Sequence, residues 1–511
     1  EAIAFYEANK NRTEVALAGG NDGMLHCFRV SDGVELWGYI PQSLLTKLAT
    51  ITPGVPNPSG WPAEKVHQYF VDGAGHVVDV QVDDNGDAND WKTLAVFSLG
   101  QGGRGIVVLD ITNPENPDLL FEFSATHNPL QNEGMYLGYT MSTPLLGRVY
   151  DDGSGKSVPV VILAGGLDWI NSVEMEGLST SVRDQIKTHT GQYAFKATDS
   201  RLSSYDALRR RGKALWVLNA MTGAVIKTFR FDSSNSNSAT LWTSNQLLYP
   251  VVATPTMVDL KGKGCIDMIY FCPSGSHVLT TTGEGGSVWR VSLEGTPVNW
   301  QPERLFQLDG EQTLYIKPTL ALDQLYRRWV YLGTGNRPFP NAEDNVNGKF
   351  MAFLDPMTAP SSPYTLSNLE QIVLGTTETV DVTGGTDKGF YMNLVQASRE
   401  ILFDPAPLIV SNQVIFNTYA PKVVDNSVDL CTPQGDQWLY TLSLGLEGVN
   451  PRIESAVEQG ANKGSGLLNN ETYVIYHGTG PAGDVPSNGA PPKQIAIPDA
   501  SGLVFWMENK R

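Results

Sequence analysis

One pattern recurs along this chain: a glycine-rich turn, a short apolar strand closed by an Asp or Asn turn, and a second strand carrying an aromatic residue. It stands first at GGNDGMLHCFRVSDGVELWGYIP, residues 19–41. There Asn21-Asp22-Gly23 supplies the positive-φ turn that closes a hairpin with the right twist, and Ser31-Asp32-Gly33 makes the next turn. Copies follow at LGQGGRGIVVLDITNPENPDLLFEF (99–123), GKALWVLNAMTGAVIKTFRF (212–231) and GEGGSVWRVSLEGTPVNW (283–300), with weaker echoes at 331–359 and 435–448. A lone hairpin cannot bury both faces of its sheet, whereas a repeat stacks sheet on sheet. The pattern predicts an all-β fold, a β-propeller of about seven four-stranded blades whose uneven spacing reflects insertions.

The repeat runs from end to end, so residues 1–511 are expected to form a single propeller domain. Six blades are predicted at 13–41, 68–125, 138–231, 248–308, 313–358 and 368–445. A polar, partly helical insertion is expected at 167–211, inside the third. Residues 446–500 read as an irregular C-terminal segment, because HGTGPAGDVPSNGAPPKQ is too rich in Gly and Pro for regular structure. A closing strand, SGLVFWM, is expected to return beside the first blade and remove an exposed edge. The chain opens at Glu1 with a polar run leading straight into the first strand, which reads as a piece of something longer.

Only 18% of residues are charged and the net charge is −18, so a nucleic-acid partner, which needs clustered Lys and Arg, is not expected. The run Arg209-Arg210-Arg211 is too short to change that. No apolar stretch approaches the length of a membrane span, and no lipid-anchor or leader motif stands at the start. The four cysteines form no CxxC or Cys/His cluster, which argues against structural zinc and covalent haem. If the run between Cys265 and Cys272 is extended, the two sulfurs stand about 20 Å apart and cannot bond to each other.

Taken in order, GNDGMLHCFRVSDGVELWGYIP, GQGGRGIVVLDITNP, LGYTMSTPLLGRV, ATPTMVDLKGKGCIDMIYF, GGSVWRVSL, VYLGTGN, IVSNQVIFNTYAP and CTPQGDQWLYTLSL resemble the C-terminal propeller domain of the PilY family of type IV pilus proteins. Each motif alone is common among propellers; their ordered set is more specific. The resemblance implies a secreted, extracellular protein at the pilus tip or outer cell surface. Such a protein promotes pilus assembly with minor pilins, and contributes to adhesion to host or environmental surfaces and to control of extension and retraction. It implies no catalysis.

The family's most chemical feature is a calcium loop of the form Asp-x-(Asp/Asn)-x-Asp-x-x-x-Asp in the fourth blade. Such spacing converges oxygens on one hard cation at about 2.3–2.6 Å. The matching stretch here runs from Asp259 to Asp267 and keeps both end carboxylates, but Lys261 and Lys263 occupy the third and fifth places. Ammonium groups cannot ligate calcium. The resemblance therefore implies a degenerate loop that is metal-free, in which a lysine charge pairs with Asp259 or Asp267; a plain turn is the competing reading. A second candidate for calcium is the acidic tip Asp83-Asp84-Asn85-Gly86-Asp87, with Asp83, Asn85 and Asp87 at alternate places. It lacks the distal carboxylate and also reads as a solvated hairpin tip.

Two rival readings share the fold. Quinoprotein dehydrogenases are propellers with a similar repeat, which residues 22–37 and 212–229 resemble, but no adjacent cysteines occur here. An outer-membrane scaffold propeller should show more regular blades. No G-x-S-x-G elbow supports a nucleophile, so no catalytic residue and no organic cofactor are expected. His26 reads as a packing residue, and Trp37, Trp216, Trp289 and Trp438 as packing between blades.

Overall fold

The computed structural model describes residues 2–52, 68–83, 90–125, 133–170, 179–181, 196–198, 204–275, 284–310, 312–336, 347–382, 388–410, 412–421, 435–447 and 450–459, with strands at 463–468, 471–476 and 494–495. After a helix at Ala2–Asn9, these residues form seven sheets, built almost wholly from antiparallel neighbours.

The recurring Asp or Asn explains why each repeat folds back on itself. Asp32, Asp110 and Asn219 each accept, through a side-chain oxygen, the backbone N–H two residues on, at 3.1 Å from Val34, 2.9 Å from Thr112 and 2.9 Å from Met221. That Asx turn reverses the chain between the two strands of three of the four strong copies; in the fourth, Ser292 Oγ accepts the Glu294 N–H at 3.4 Å. The first sheet holds Val15–Gly19, Leu25–Arg29 and Glu35–Tyr39; the second holds Gly75–Gln81, Trp91–Ser98, Gly105–Asp110 and Asp118–Ser124. The third carries Leu145–Asp151, Lys156–Ala164, Ala214–Asn219 and Val225–Phe231, extended by two short strands at Leu241–Ser244 and Ser236–Asn237. The fourth holds Thr256–Val258, Met268–Phe271, Glu284–Ser292 and Pro302–Asp309.

Compactness divides the chain into two units, Glu1–Ser274 with Arg290–Glu303, and Gly275–Trp289 with Arg304–Arg511. In the first unit, sheet packs on sheet. Leu25, Phe97, Val107 and Leu109 join the first two sheets, and Val96, Val108, Phe123, Val161, Leu163 and Trp216 join the second to the third. Trp216 is fully buried with its ring edge-on to Phe123 at 5.9 Å, and Trp37 donates through Nε1 to the Pro114 carbonyl at 2.8 Å. Both tryptophans therefore link neighbouring sheets, as the repeat suggests. The second unit's core is aromatic: Phe350, Phe416 and Tyr440 stack in series at 4.2 and 4.9 Å.

Two sequence expectations change, and a third is met as far as the described residues reach. The sixth blade does not begin at 368. Gly389–Asn393 pairs with Lys349–Leu354 and completes the fifth sheet, with Glu370–Gln371 beside it. The reason is register: Phe390 and Met392 carry the buried face of that strand into the core that Phe350 and Ala352 already line. Next, the segment read as irregular from 446 holds the strand Asn450–Gln459, which pairs with Gly435–Glu447 over ten residue pairs and buries Ile453 and Ser455 on one face. Last, of the helical content expected in 167–211, the structure shows Asp206–Arg210; residues 171–178, 182–195 and 199–203 lie outside the described residues. So does the closing run SGLVFWM. Cys27, Cys265 and Cys272 are free thiols.

Candidate functional site

The Asp259–Asp267 loop joins Thr256–Val258 to Met268–Phe271. Gly262 and Gly264 sit at φ 64° and 72°, the left-handed region that a side chain rarely adopts, and let the loop curl back over its own ends. The two end carboxylates face inward onto the backbone. Asp259 accepts the N–H groups of Lys263 at 3.1 Å and Gly264 at 2.6 Å, and Asp267 accepts that of Lys261 at 3.0 Å. The Asp267 N–H in turn reaches the Val258 carbonyl at 2.9 Å.

Lys261 then folds its ammonium back into the loop. Its Nζ lies 3.6 Å from Asp267 Oδ1 and 2.8 Å from Glu294 Oε1. The Glu294 carboxylate, followed by the field of Asp267, raises the Lys261 ammonium above its ordinary range. Glu294 is absent from the sequence reading of this site. It arrives through the sheet: Leu293 donates its N–H to the Asp267 carbonyl at 2.8 Å, which places the turn after Glu284–Ser292 against the loop. Lys263 contributes its backbone N–H to the loop, and its side chain makes no ion pair.

These residues do not fit a calcium ion, which needs six to eight oxygens and a negative site. Two of the pattern's ligand places are lysines, and three of the carboxylate oxygens already accept backbone N–H groups. An ammonium stands within the group. Among the described residues no set of three or more His, Cys, Asp or Glu side chains converges to hold a metal.

Of the second candidate, Asn85 and Asp87 lie outside the described residues. Asp83 stands where the tip of the Gly75–Gln81 and Trp91–Ser98 hairpin begins; its N–H and that of Val82 both point at the Asp90 carbonyl. Its carboxylate is half exposed, 3.9 Å from Lys156 Nζ. The hairpin position is as expected.

The root of the 167–211 insertion is a buried polar cluster in the first unit. Asp168, at the start of the insertion, and Lys213, just past its end, form an ion pair at 2.9 Å with both side chains fully buried. Lys213 also donates to the Arg211 carbonyl at 3.2 Å, and Arg211 donates to the Trp169 carbonyl at 2.9 Å. Backbone bonds between Tyr139 and Leu167, and from Gly212 to the Tyr136 carbonyl, tie both ends of the insertion to the same segment. Sequence reasoning missed this pair because its members stand 45 residues apart.

His26 lies on the first sheet with one ring nitrogen 2.9 Å from Glu35 Oε1 and the other 2.9 Å from Asp22 Oδ2. The hydrogen bond to Glu35 raises its pKa; burial opposes that, and Asp22 adds to it. It is a hydrogen-bonded structural residue, in line with the sequence reading.

The sheets, their Asx-turn repeats and their face-to-face packing define an all-β propeller. Residues 1–174 match the family model of the PilY1 beta-propeller domain. The type IV pilus biogenesis factor PilY1 of Pseudomonas aeruginosa (strain UCBPP-PA14) is 36% identical over 139 residues, 27% of this chain and 10% of that protein. A PilY1 homolog of Xylella fastidiosa (strain Temecula1 / ATCC 700964) is 24% identical over 526 residues, covering 94% of this chain and 29% of that protein. The crystal structure of the Pseudomonas aeruginosa PilY1 C-terminal domain superposes with a TM-score of 0.57 over 93% of each chain, at 17% identity. These matches bear out the resemblance to the C-terminal β-propeller domain of the PilY family. The chain spans less than a third of the length of these curated relatives.

Proposed function

We propose that this propeller is the non-enzymatic, pilus-associated domain of a type IV pilus biogenesis protein. In this reading it acts outside the cell at the pilus tip or on the outer surface, promotes assembly with minor pilins, and serves adhesion and the control of extension and retraction. The observation that carries it is the alignment with the Xylella fastidiosa PilY1 homolog, 24% identical along 94% of the chain, which extends the likeness well beyond residues 1–174 that the family model matches. The buried Asp168–Lys213 root supports a docking role for the insertion, because a rigid scaffold that holds a polar segment by its ends is how binding loops are built. An exposed sheet edge is the second candidate for contact, by strand addition.

The domain carries no organic cofactor in this reading, and the tip at Asp83, Asn85 and Asp87 is the place left for a calcium ion. The test is a pull-down of purified minor pilins by the domain and by a variant with residues 171–203 replaced by a short Gly/Ser linker. Capture by the parent chain and loss in the variant are expected; absence of capture by both overturns the partner assignment. An absorbance band from a quinone or flavin in the purified protein overturns the non-enzymatic reading.

A further inference from the structure

We propose that Lys261 is a built-in cation that holds the Asp259–Asp267 loop closed, so that this part of the fourth sheet is independent of calcium. The argument is one of charge and geometry and does not rest on the pilus assignment. Asp259 and Asp267 close the loop, with backbone N–H groups of Lys261, Lys263 and Gly264 satisfying part of their charge, and Glu294 stands on the neighbouring turn within reach of Lys261. Asp267 and Glu294 both approach this one ammonium, and two carboxylates that share a site repel one another unless a cation stands between them. The Lys261 ammonium does so, bridging Asp267 from inside the loop and Glu294 from the neighbouring turn. One side chain thereby does two tasks of a metal: it neutralises, and it fastens the loop to the turn after Glu284–Ser292.

Lys263 stands two residues on and takes no such part, so the assignment is to one lysine and not to positive charge in general. Glu294 is equally specific. Its oxygen is the nearer of the two partners, which makes the clamp a link between two segments of the sheet and not merely a closed turn.

The experiment uses the full chain with Asp83→Ala and Asp87→Ala, so that any calcium response reports the loop and not the acidic tip. Amide hydrogen exchange at Lys261, Lys263 and Gly264 is followed with and without millimolar calcium. In this background calcium should leave the three amides unchanged. Lys261→Met should speed their exchange about two- to fivefold, the worth of a partly exposed ion pair, and Lys263→Met should not. K261D replaces the ammonium by a further carboxylate, so its exchange should speed more than that of Lys261→Met without metal and slow again as calcium is added. The proposal is overturned by calcium-dependent protection of the parent loop that Asp259→Ala removes, by unchanged exchange in Lys261→Met, or by a K261D loop that calcium does not restore. The Lys261→Met arm decides the matter even where K261D does not fold.

Discussion

Removing Lys213 should destabilise the first unit far more than removing any exposed lysine. Lys213 and Asp168 are both fully buried and 2.9 Å apart. In Lys213→Met the stem is replaced at similar volume while the Asp168 carboxylate is left in the interior without its ammonium. Breaking a buried pair in this one-sided way costs about 3–5 kcal/mol. At roughly 2 °C per kcal/mol for a unit of this size, the melting temperature should fall by about 6–10 °C. Lys156, which approaches Asp83 to 3.9 Å with both side chains more than half exposed, is the control, and Lys156→Ala should stay within about 0.5 kcal/mol. Differential scanning calorimetry of the three proteins reads the comparison. The double variant Lys213→Met with Asp168→Leu removes the buried carboxylate as well and should recover most of the loss, since apolar replacement of a whole buried pair is often neutral. A single variant melting within 2 °C of the parent would refute the reasoning, because it would mean that water reaches the pair. A double variant no better than the single would show that the loss was packing and not the removal of the ammonium from the Asp168 carboxylate.

Three further outcomes are expected. His26 gains a carboxylate on each ring nitrogen, so its raised pKa stabilises the fold fully below its ordinary value of 6.5, and that contribution is lost as pH rises through the higher folded value. The melting difference between the parent and His26→Gln should be widest in mild acid and close in alkali; a difference that is flat with pH refutes this. Lys227 is fully buried, bonded to Asn237 Oδ1 at 2.9 Å and the Ser238 carbonyl at 2.6 Å with no carboxylate partner, and burial lowers its pKa to about 8. The unfolded chain then binds the extra proton between that value and 10.5, so stability should rise with pH across this window, and Lys227→Met should abolish the rise in a pH series of urea titrations. Trp216→Ala empties the contact between the second and third sheets and should cost about 3–5 kcal/mol, whereas Trp37→Ala, on a partly exposed ring, should cost clearly less; equal losses in denaturant unfolding refute the packing reading.

Local chemistry was legible in the sequence wherever one turn could announce itself. Asp32, Asp110 and Asn219 mark their turns by residue type alone, and the strands on either side follow by alternation. Partner choice between distant strands was less legible. Gly389–Asn393 reads equally well as opening a new sheet or closing the old one, since its apolar alternation is the same in both. Only the core already lined by Phe350 decides for the fifth sheet. Asn450–Gln459 is hidden for another reason. NPRIESAVEQ is polar at 450, 452, 454 and 458, and in a part of the sequence rich in Gly and Pro a half-exposed strand of that kind reads as irregular.

The loop at 259–267 shows the same limit in chemical terms. Spacing along the chain identified the carboxylates of Asp259 and Asp267 and the lysines between them, because all four lie within nine residues. It offered no means of choosing which lysine closes the loop. That choice is set by Glu294, a residue outside the motif that the neighbouring strand delivers, and Glu294 lies on the side that Lys261 reaches. A short motif therefore reports which charges are present, while the sheet decides which of them meet. The same holds for Asp168 and Lys213, where an insertion separates two charges in sequence and its closed root reunites them. In both places the polar contact that matters forms across the join between two segments of the sheet. Such joins are where substitutions in this domain should be read for coupling between residues, by double-mutant comparison and not by motif.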